Sequence, residues 1–277
     1  MISSNNSANG FYTEFKRILG IVFLLTLVSC GQAKHHLIHL PDALKEVSGI
    51  FWISHAELAM IEDEHGIIYL WDACNDKVNH KIEFADDGDY EDLIFTGDEF
   101  WVLRSDGALF QVVEPFSDEP QTIKHKTPLS EKNDCEGLSF DANQNALYIL
   151  CKEQPFIDKD SKKETKRSIY KYSIENEKLI EEPHFVFDTK DISTKEIGPS
   201  ALLMEDEIML ILDSKSSSIL VFIADEFSHQ VMLDTKTYPQ PEGLSLNEHK
   251  LYISSEAGSK GNTGTVGWMH LRKVIEK

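Results

Sequence analysis

One pattern recurs five times along the chain, and a repeat of this kind constrains the fold more than any single residue does. The segments read Glu46-Val47-Ser48-Gly49-Ile50-Phe51-Trp52, Asp89-Tyr90-Glu91-Asp92-Leu93-Ile94-Phe95, Asp134-Cys135-Glu136-Gly137-Leu138-Ser139-Phe140, Gly198-Pro199-Ser200-Ala201-Leu202-Leu203-Met204 and Pro241-Glu242-Gly243-Leu244-Ser245-Leu246. The apolar residues that follow the small or acidic pair, Ile50, Leu93, Leu138, Leu202 and Leu244, are spaced by 43, 45, 64 and 42. The long interval holds Lys152 to Lys166, a charged stretch that reads as a loop insertion.

Three more short segments follow in most units. The second strands are expected at 57–62, 99–104, 146–151, 207–213 and 250–255, and the third at 67–71, 108–113, 168–172, 219–223 and 265–270. A fourth, more polar set is expected at 78–84, 121–125, 184–187 and 230–233. All are short, rich in β-branched and aromatic residues, and separated by Gly, Asp, Asn and Pro, with no sustained helical period between them. The pattern predicts an all-β chain folded as a β-propeller of five four-stranded blades. The alternative is six blades, if the 64-residue interval hides a degenerate one, although the Lys-rich insertion lacks the apolar strands a blade needs. The fifth unit lacks an outer strand, while His36-Leu37-Ile38-His39-Leu40 is strand-like and has no unit of its own. That N-terminal strand is expected to complete the fifth blade and close the ring, leaving no open seam.

Ahead of the repeats lies a segment of another kind. Lys16-Arg17 precedes an apolar run from Ile18 to Val28, which ends in Leu27-Val28-Ser29-Cys30-Gly31. The run is too short to span a bilayer and reads as the apolar region of an export signal. Leu-Val-Ser-Cys resembles the bacterial lipobox, in which cleavage precedes a cysteine that carries a diacyl group. The expectation is a lipoprotein signal peptide over residues 1–29, a lipidated tether over 30–35 and a single propeller domain over 36–277. Acyl chains, palmitate among them, would anchor Cys30 to a lipid bilayer. The chain would then belong to the bacterial cell envelope, on the outer membrane, with its folded part in the periplasm or at the cell surface. With 27 Lys+Arg against 47 Asp+Glu the formal charge is −20, which argues against nucleic acid as a partner.

Propeller topology surrounds the channel with first strands. It brings the loops entering them to the same face as the loops joining second and third strands. Glu91, Glu136 and Glu242, at equivalent repeat positions, should therefore converge on the axis, joined by Asp63, Asp213 and Glu256 from the second set of loops. Carboxylates this close must be protonated, paired or bound to a cation, and the nearby bases are Arg104 and Lys152. Oxygen donors in a flexible ring suit calcium, which takes six to eight of them. Zinc would call for His and Cys, and the 11 His are scattered. The plainer alternative is that each glutamate only bonds to the backbone of the next blade. Asp86-Asp87-Gly88-Asp89 reads as a solvated loop. His65 and His125 are expected near the same face, with Glu91 or Glu136 as a candidate base, and there is no GxSxG elbow or phosphate-binding loop.

Asp-Tyr-Glu-Asp-Leu, Cys-Glu-Gly-Leu-Ser and Pro-Gln-Pro-Glu-Gly-Leu resemble the matching motifs of the SdiA-regulated (YjiK-like) propeller family. The resemblance extends over nearly all of the chain after the signal. It implies an exported, membrane-associated propeller that binds calcium, with the acidic motif positions at Glu91, Glu136 and Glu242. More distantly the chain is similar to calcium-dependent propeller hydrolases of the phytase, gluconolactonase and paraoxonase kinds. Ser48 and Ser200 depart from the acidic pattern, so the ring of acids is incomplete. Cys135 and Cys151 should face each other across a hairpin, as a disulfide or as two buried thiols, while Cys74 is left without a partner. The leading functional expectation is a ligand- or partner-binding or signalling module. It would hold calcium at the channel mouth and present an acidic face to a small molecule or protein. The alternative is a calcium-dependent hydrolase of phosphoesters or lactones, and the sequence leaves catalysis open.

Overall fold

Short strands joined by short polar turns can pair only with their sequence neighbours, so each repeat closes on itself as an antiparallel meander. The computed structural model describes residues 37–157, 165–258 and 263–276. It contains five such sheets, and the five-bladed propeller expected from the repeats is what they build. The first blade is β2 (Val47–Ser54), β3 (Glu57–Glu62), β4 (Ile67–Asp72) and β5 (Lys77–Glu83). The second is β6 (Tyr90–Phe95), β7 (Phe100–Arg104), β8 (Leu109–Val113) and β9 (Gln121–His125). The third is β10 (Cys135–Asp141), β11 (Ala146–Cys151) and β12 (Lys166–Ser173), its outer edge split between β13 (Lys178–Leu179) and β14 (Phe185–Asp188). The fourth is β15 (Pro199–Glu205), β16 (Ile208–Asp213), β17 (Ser218–Ile223) and β18 (Glu226–Met232).

The fifth blade combines both ends of the chain. β19 (Gln240–Asn247), β20 (Lys250–Glu256) and β21 (Thr265–His270) are completed by β1 (Leu37–His39), which runs antiparallel to β21 with Ile38 opposite Val266. The segment expected to be a signal peptide and Cys30 lie outside the described residues, as does 158–164 within the Lys-rich insertion.

Burial follows position within the blade. β11 is buried at every residue, because neighbouring blades cover both faces of a second strand. The outer strand β9 is exposed except for its last residue. Apolar side chains from adjacent blades interlock in clusters between them. Trp101, Leu103, Leu138, Ile149 and Tyr170 fill the space between the second and third blades.

The inner strands β2, β6, β10, β15 and β19 pack side by side around the channel. Each of the five interfaces between them carries a side-chain-to-backbone hydrogen bond. Ser48 Oγ donates to the Tyr90 carbonyl at 2.8 Å, and Ser200 Oγ donates to the Pro241 carbonyl at 2.8 Å. Asp92 accepts from Leu138 N–H at 2.7 Å, Ser139 Oγ from Met204 N–H at 3.0 Å, and Ser245 Oγ from Trp52 N–H at 3.0 Å. Asp92 is fully buried, and burial pushes its carboxyl well up even though two backbone amides pull it down. Sheet edges here do not pair, so these bonds tie blade to blade where the ladder does not.

Candidate functional site

Every inner strand breaks its ladder at the same place. Cys135 lies opposite Cys151 and Gly137 opposite Leu150, which leaves Glu136 as an extra residue. The same irregularity leaves Glu91 between Tyr90 and Asp92, Ser200 between Pro199 and Ala201, and Glu242 between Pro241 and Gly243. In β2 it covers Ser48 and Gly49. A β-bulge re-aims one side chain out of the pleat. Ser48, Glu91, Glu136, Ser200 and Glu242 all line one cavity of about 280 Å³.

The residue after the bulge explains the rest of the motif. A Cβ added at Gly137 would sit 2.6 Å from the backbone nitrogen of Leu202, and one at Gly243 would sit 2.8 Å from the Ser48 carbonyl oxygen. Glycine is needed there because the next inner strand comes too close for any side chain. Glu-Gly-Leu therefore reads as an acid at the channel mouth, a close approach and a core residue.

Asp63, Asp89, Asp134, Lys152 and Glu256 complete the wall. Five of the six expected ligand residues are thus brought together: Glu91, Glu136, Glu242, Asp63 and Glu256. Asp213 is not. It is fully buried under the turn after β16, accepting from the N–H groups of Gly198 at 2.9 Å and Lys215 at 3.1 Å and from Ser216 Oγ. Asp213 lies opposite Pro199, in the pair just before the bulge, where Glu62 and Cys151 stand in their blades. The position that faces the cavity is one residue further on, held by Asp63 and Lys152. A slip of one residue in a strand reverses the face.

Asp89 and Asp134 were not anticipated. Both stand two residues before a bulged glutamate, a coincidence of spacing visible in the repeats. Asp134 takes a left-handed φ of 53°, a conformation that Asp tolerates better than most residues. Asp89 and Asp134 also form part of an adjoining depression with Arg104 and Asp106. Arg104 is committed there, with Nε and Nη2 donating to Asp106 at 3.0 and 2.7 Å.

Neither histidine serves the cavity. His125 is buried in the core, with its Nε2 2.9 Å from Gln111 Oε1 and its ring 5.0 Å from that of Trp101. His65 Nδ1 lies 2.7 Å from Glu62 Oε1, and Glu62 also accepts from the N–H groups of Glu64 and His65. Glu62, Glu64 and His65 are the group of potential metal ligands whose atoms come within 4.8 Å of one another among the described residues. The Glu62 carboxylate is spent on capping its own turn.

The electrostatics of the cavity are those of crowded, half-dry carboxylates. Burial, then the charges of Glu136 and Glu256, push Glu242 up to about 8. Burial raises Glu136 to about 7 against the pull of Lys152. Glu256 rises to about 7 through burial, Asp63 and Glu46, and Asp63 to about 6 through burial and Glu46. Glu91 is pushed well up by burial and by Glu136 and Asp89. Asp63 Oδ1 is closed off from solvent and has no hydrogen-bond partner. Against all of these stands one base among the described residues, Lys152, whose Nζ lies 2.6 Å from Glu136 Oε1 and 3.9 Å from Asp134 Oδ2.

Beneath the cavity Cys135 and Cys151 are free thiols, both buried, with their Sγ atoms 3.9 Å apart. The Cys135 N–H donates to the Ser105 carbonyl of the previous blade and not across the pair. Cys74 lies in the turn after β4, where its N–H donates to Asp72 Oδ1 at 2.8 Å.

No family model matches the chain, and no curated protein matches it. Solved structures do. A glutaminyl cyclase from Myxococcus xanthus is similar at a TM-score of 0.55 with 9% identity, over 84% of this chain and 95% of that one. A PQQ-bound aldose sugar dehydrogenase from Streptomyces coelicolor is similar at 0.52 with 11% identity, over 84% of this chain and 97% of that one. A luciferin-regenerating enzyme is similar at 0.51 with 11% identity, over 85% and 95%. At such identities the likeness extends to the fold, and the fold shared is the β-propeller.

Proposed function

We propose that the chain is an exported, lipid-anchored propeller that binds calcium at the acidic mouth of its channel and uses that face to hold a ligand or partner. The observation that carries the cation reading is Asp63 Oδ1, a buried oxygen without a partner in a wall of converging carboxylates. An unpaired buried acceptor is costly, and a bound cation would satisfy it. Among the described residues the wall offers carboxylate oxygens and no His or Cys, a donor set that suits a hard ion. Asp63, Glu91, Glu136, Glu242 and Glu256, with Asp89 and Asp134 at the rim, are the residues that would hold it. The ion would supply a positive centre for an oxygen of the ligand.

The anchor rests on the sequence alone, on the apolar run 18–28 and the lipobox-like Leu27-Val28-Ser29-Cys30. Membership in the SdiA-regulated family rests on the three acidic motifs. A second reading, calcium-dependent hydrolysis of a phosphoester or lactone, is favoured by Glu136 and Glu242 at about 7 and about 8, where a carboxylate can accept a proton near neutral pH.

The cation reading is tested by calorimetric calcium titration of the full chain, with thermal melting in calcium and in chelator. Binding and a rise in Tm are expected, both lost in the Glu136→Gln/Glu242→Gln double variant. Absence of binding at millimolar calcium would leave the glutamates as structural residues. For the anchor, Cys30→Ala is expected to move the chain from the membrane fraction to the soluble one, and retention in the membrane would refute it.

A further inference from the structure

Among the described residues Lys152 is the single basic residue on a wall that otherwise carries seven carboxylates, and its place in the fold is specific. It directly follows Cys151, which pairs with Cys135, and its N–H donates to the Asp134 carbonyl at 2.8 Å. The root of the side chain is therefore fixed to the same strand pair that carries Glu136. Its ammonium, a quarter exposed, reaches into the cavity to Glu136 at 2.6 Å and Asp134 at 3.9 Å. In the blades where the equivalent position also faces the cavity, it holds Asp63 and Glu256, both acids. The third blade alone among these three turns that position into a cation.

We infer that Lys152 is a tethered counter-ion. Its ammonium holds the cation position while the site has no metal, and it must leave when a divalent ion enters. This rests on the calcium reading above and adds how that site is regulated. An ammonium is satisfied by the same carboxylate oxygens that a hard metal ion needs. A doubly charged ion and an ammonium cannot share them, because both lie in a half-buried setting where like charges are weakly screened. No three carboxylates of the cavity hold their oxygens within 4.8 Å of one another among the described residues, so the acids are not gathered for an ion, and two of them, Glu136 and Asp134, are drawn to the ammonium instead. Four methylenes give Lys152 the freedom to swing out to solvent without moving β11. The competitor is attached to the protein, so its local concentration is constant. It would set a threshold of calcium below which the mouth stays closed by its own ion pair, and it would disfavour monovalent ions, which bring no gain in charge over the lysine.

The test is calcium titration of the full chain as wild type, Lys152→Met and Lys152→Arg. It is joined by acylation of surface amines in the wild type, with and without calcium, located by peptide mass spectrometry. Lys152→Met is expected to bind calcium at least tenfold more tightly than wild type, and Lys152→Arg close to wild type. Labelling of Lys152 is expected to rise severalfold on calcium saturation. If the wild type binds but Lys152→Met binds equally or more weakly, or Lys152 is labelled to the same extent in both states, the tethered counter-ion is overturned and the calcium site stands. If neither protein binds calcium, the calcium reading itself has failed. The labelling arm needs no variant, so a Lys152→Met chain that does not fold leaves the test intact.

Discussion

Blades 1 and 4 carry a serine at the inner-strand bulge, and blades 2, 3 and 5 carry a glutamate. The backbone device is the same in all five. Ser48 and Ser200 are buried, and each donates to the carbonyl of the residue just before the next blade's glutamate, Tyr90 before Glu91 and Pro241 before Glu242. The serines hold the ring closed and thereby fix where two of the glutamates begin. The glutamates are left to crowd the cavity with raised affinities for protons. One local geometry thus supports two tasks, and the residue type decides which.

The largest test strikes the device itself. Gly137→Val would drive a side chain into the Leu202 backbone and is expected to cost about 3 kcal/mol or more in urea unfolding. A near-neutral result would mean the inner strands can separate and the bulge geometry is soft. The two kinds of bulge should then diverge under single substitutions. Glu242→Gln is expected to weaken calcium binding at least tenfold and to leave stability in chelator unchanged or higher. Ser200→Ala is expected to cost about 1–2 kcal/mol of stability by orphaning the Pro241 carbonyl, with calcium affinity unchanged. Exchange of these two outcomes would break the division of labour.

The smallest effect is in pH. Asp63, Glu136, Glu242 and Glu256 titrate at about 6, about 7, about 8 and about 7 in the folded chain, and near the ordinary carboxyl value of about 4 when unfolded. The folded chain binds more protons across that window, so stability in chelator falls as pH rises from about 4 to about 8. A Tm that drops by several degrees between about pH 5 and about pH 8.5 in chelator is expected, with a shallower slope in calcium and in the Glu136→Gln/Glu242→Gln variant. A flat profile in chelator would mean the carboxylates are relieved by water.

The blades themselves were legible because their signals are repeated. Second strands such as Ala146–Cys151 are apolar throughout, outer strands are polar, and the orphan segment near Leu37 had one vacant place to fill. The three bulged glutamates were legible for the same reason. Asp213 was misplaced because the position of a bulge is a property of pairing, and a residue one step away points to the opposite side. Asp89 looked like part of a solvated acidic loop, since composition around Asp86 and Asp87 masks its alignment with Asp134. His125 was drawn to the rim by its place at a strand end, while its ring fits better against Trp101.

The pairing of β1 with β21 carries a kinetic consequence. Leu37 and Gly267, 230 residues apart, must meet before the fifth sheet is complete, and contacts of such separation form late. During synthesis Leu37–His39 emerges early and waits for Thr265–Gly267. Until then Glu242 and Glu256 stand on an unfinished three-stranded sheet. A cation at the proposed site could therefore not act as a template for the earlier blades. Its binding energy would reach only the finished molecule, slowing unfolding far more than speeding folding.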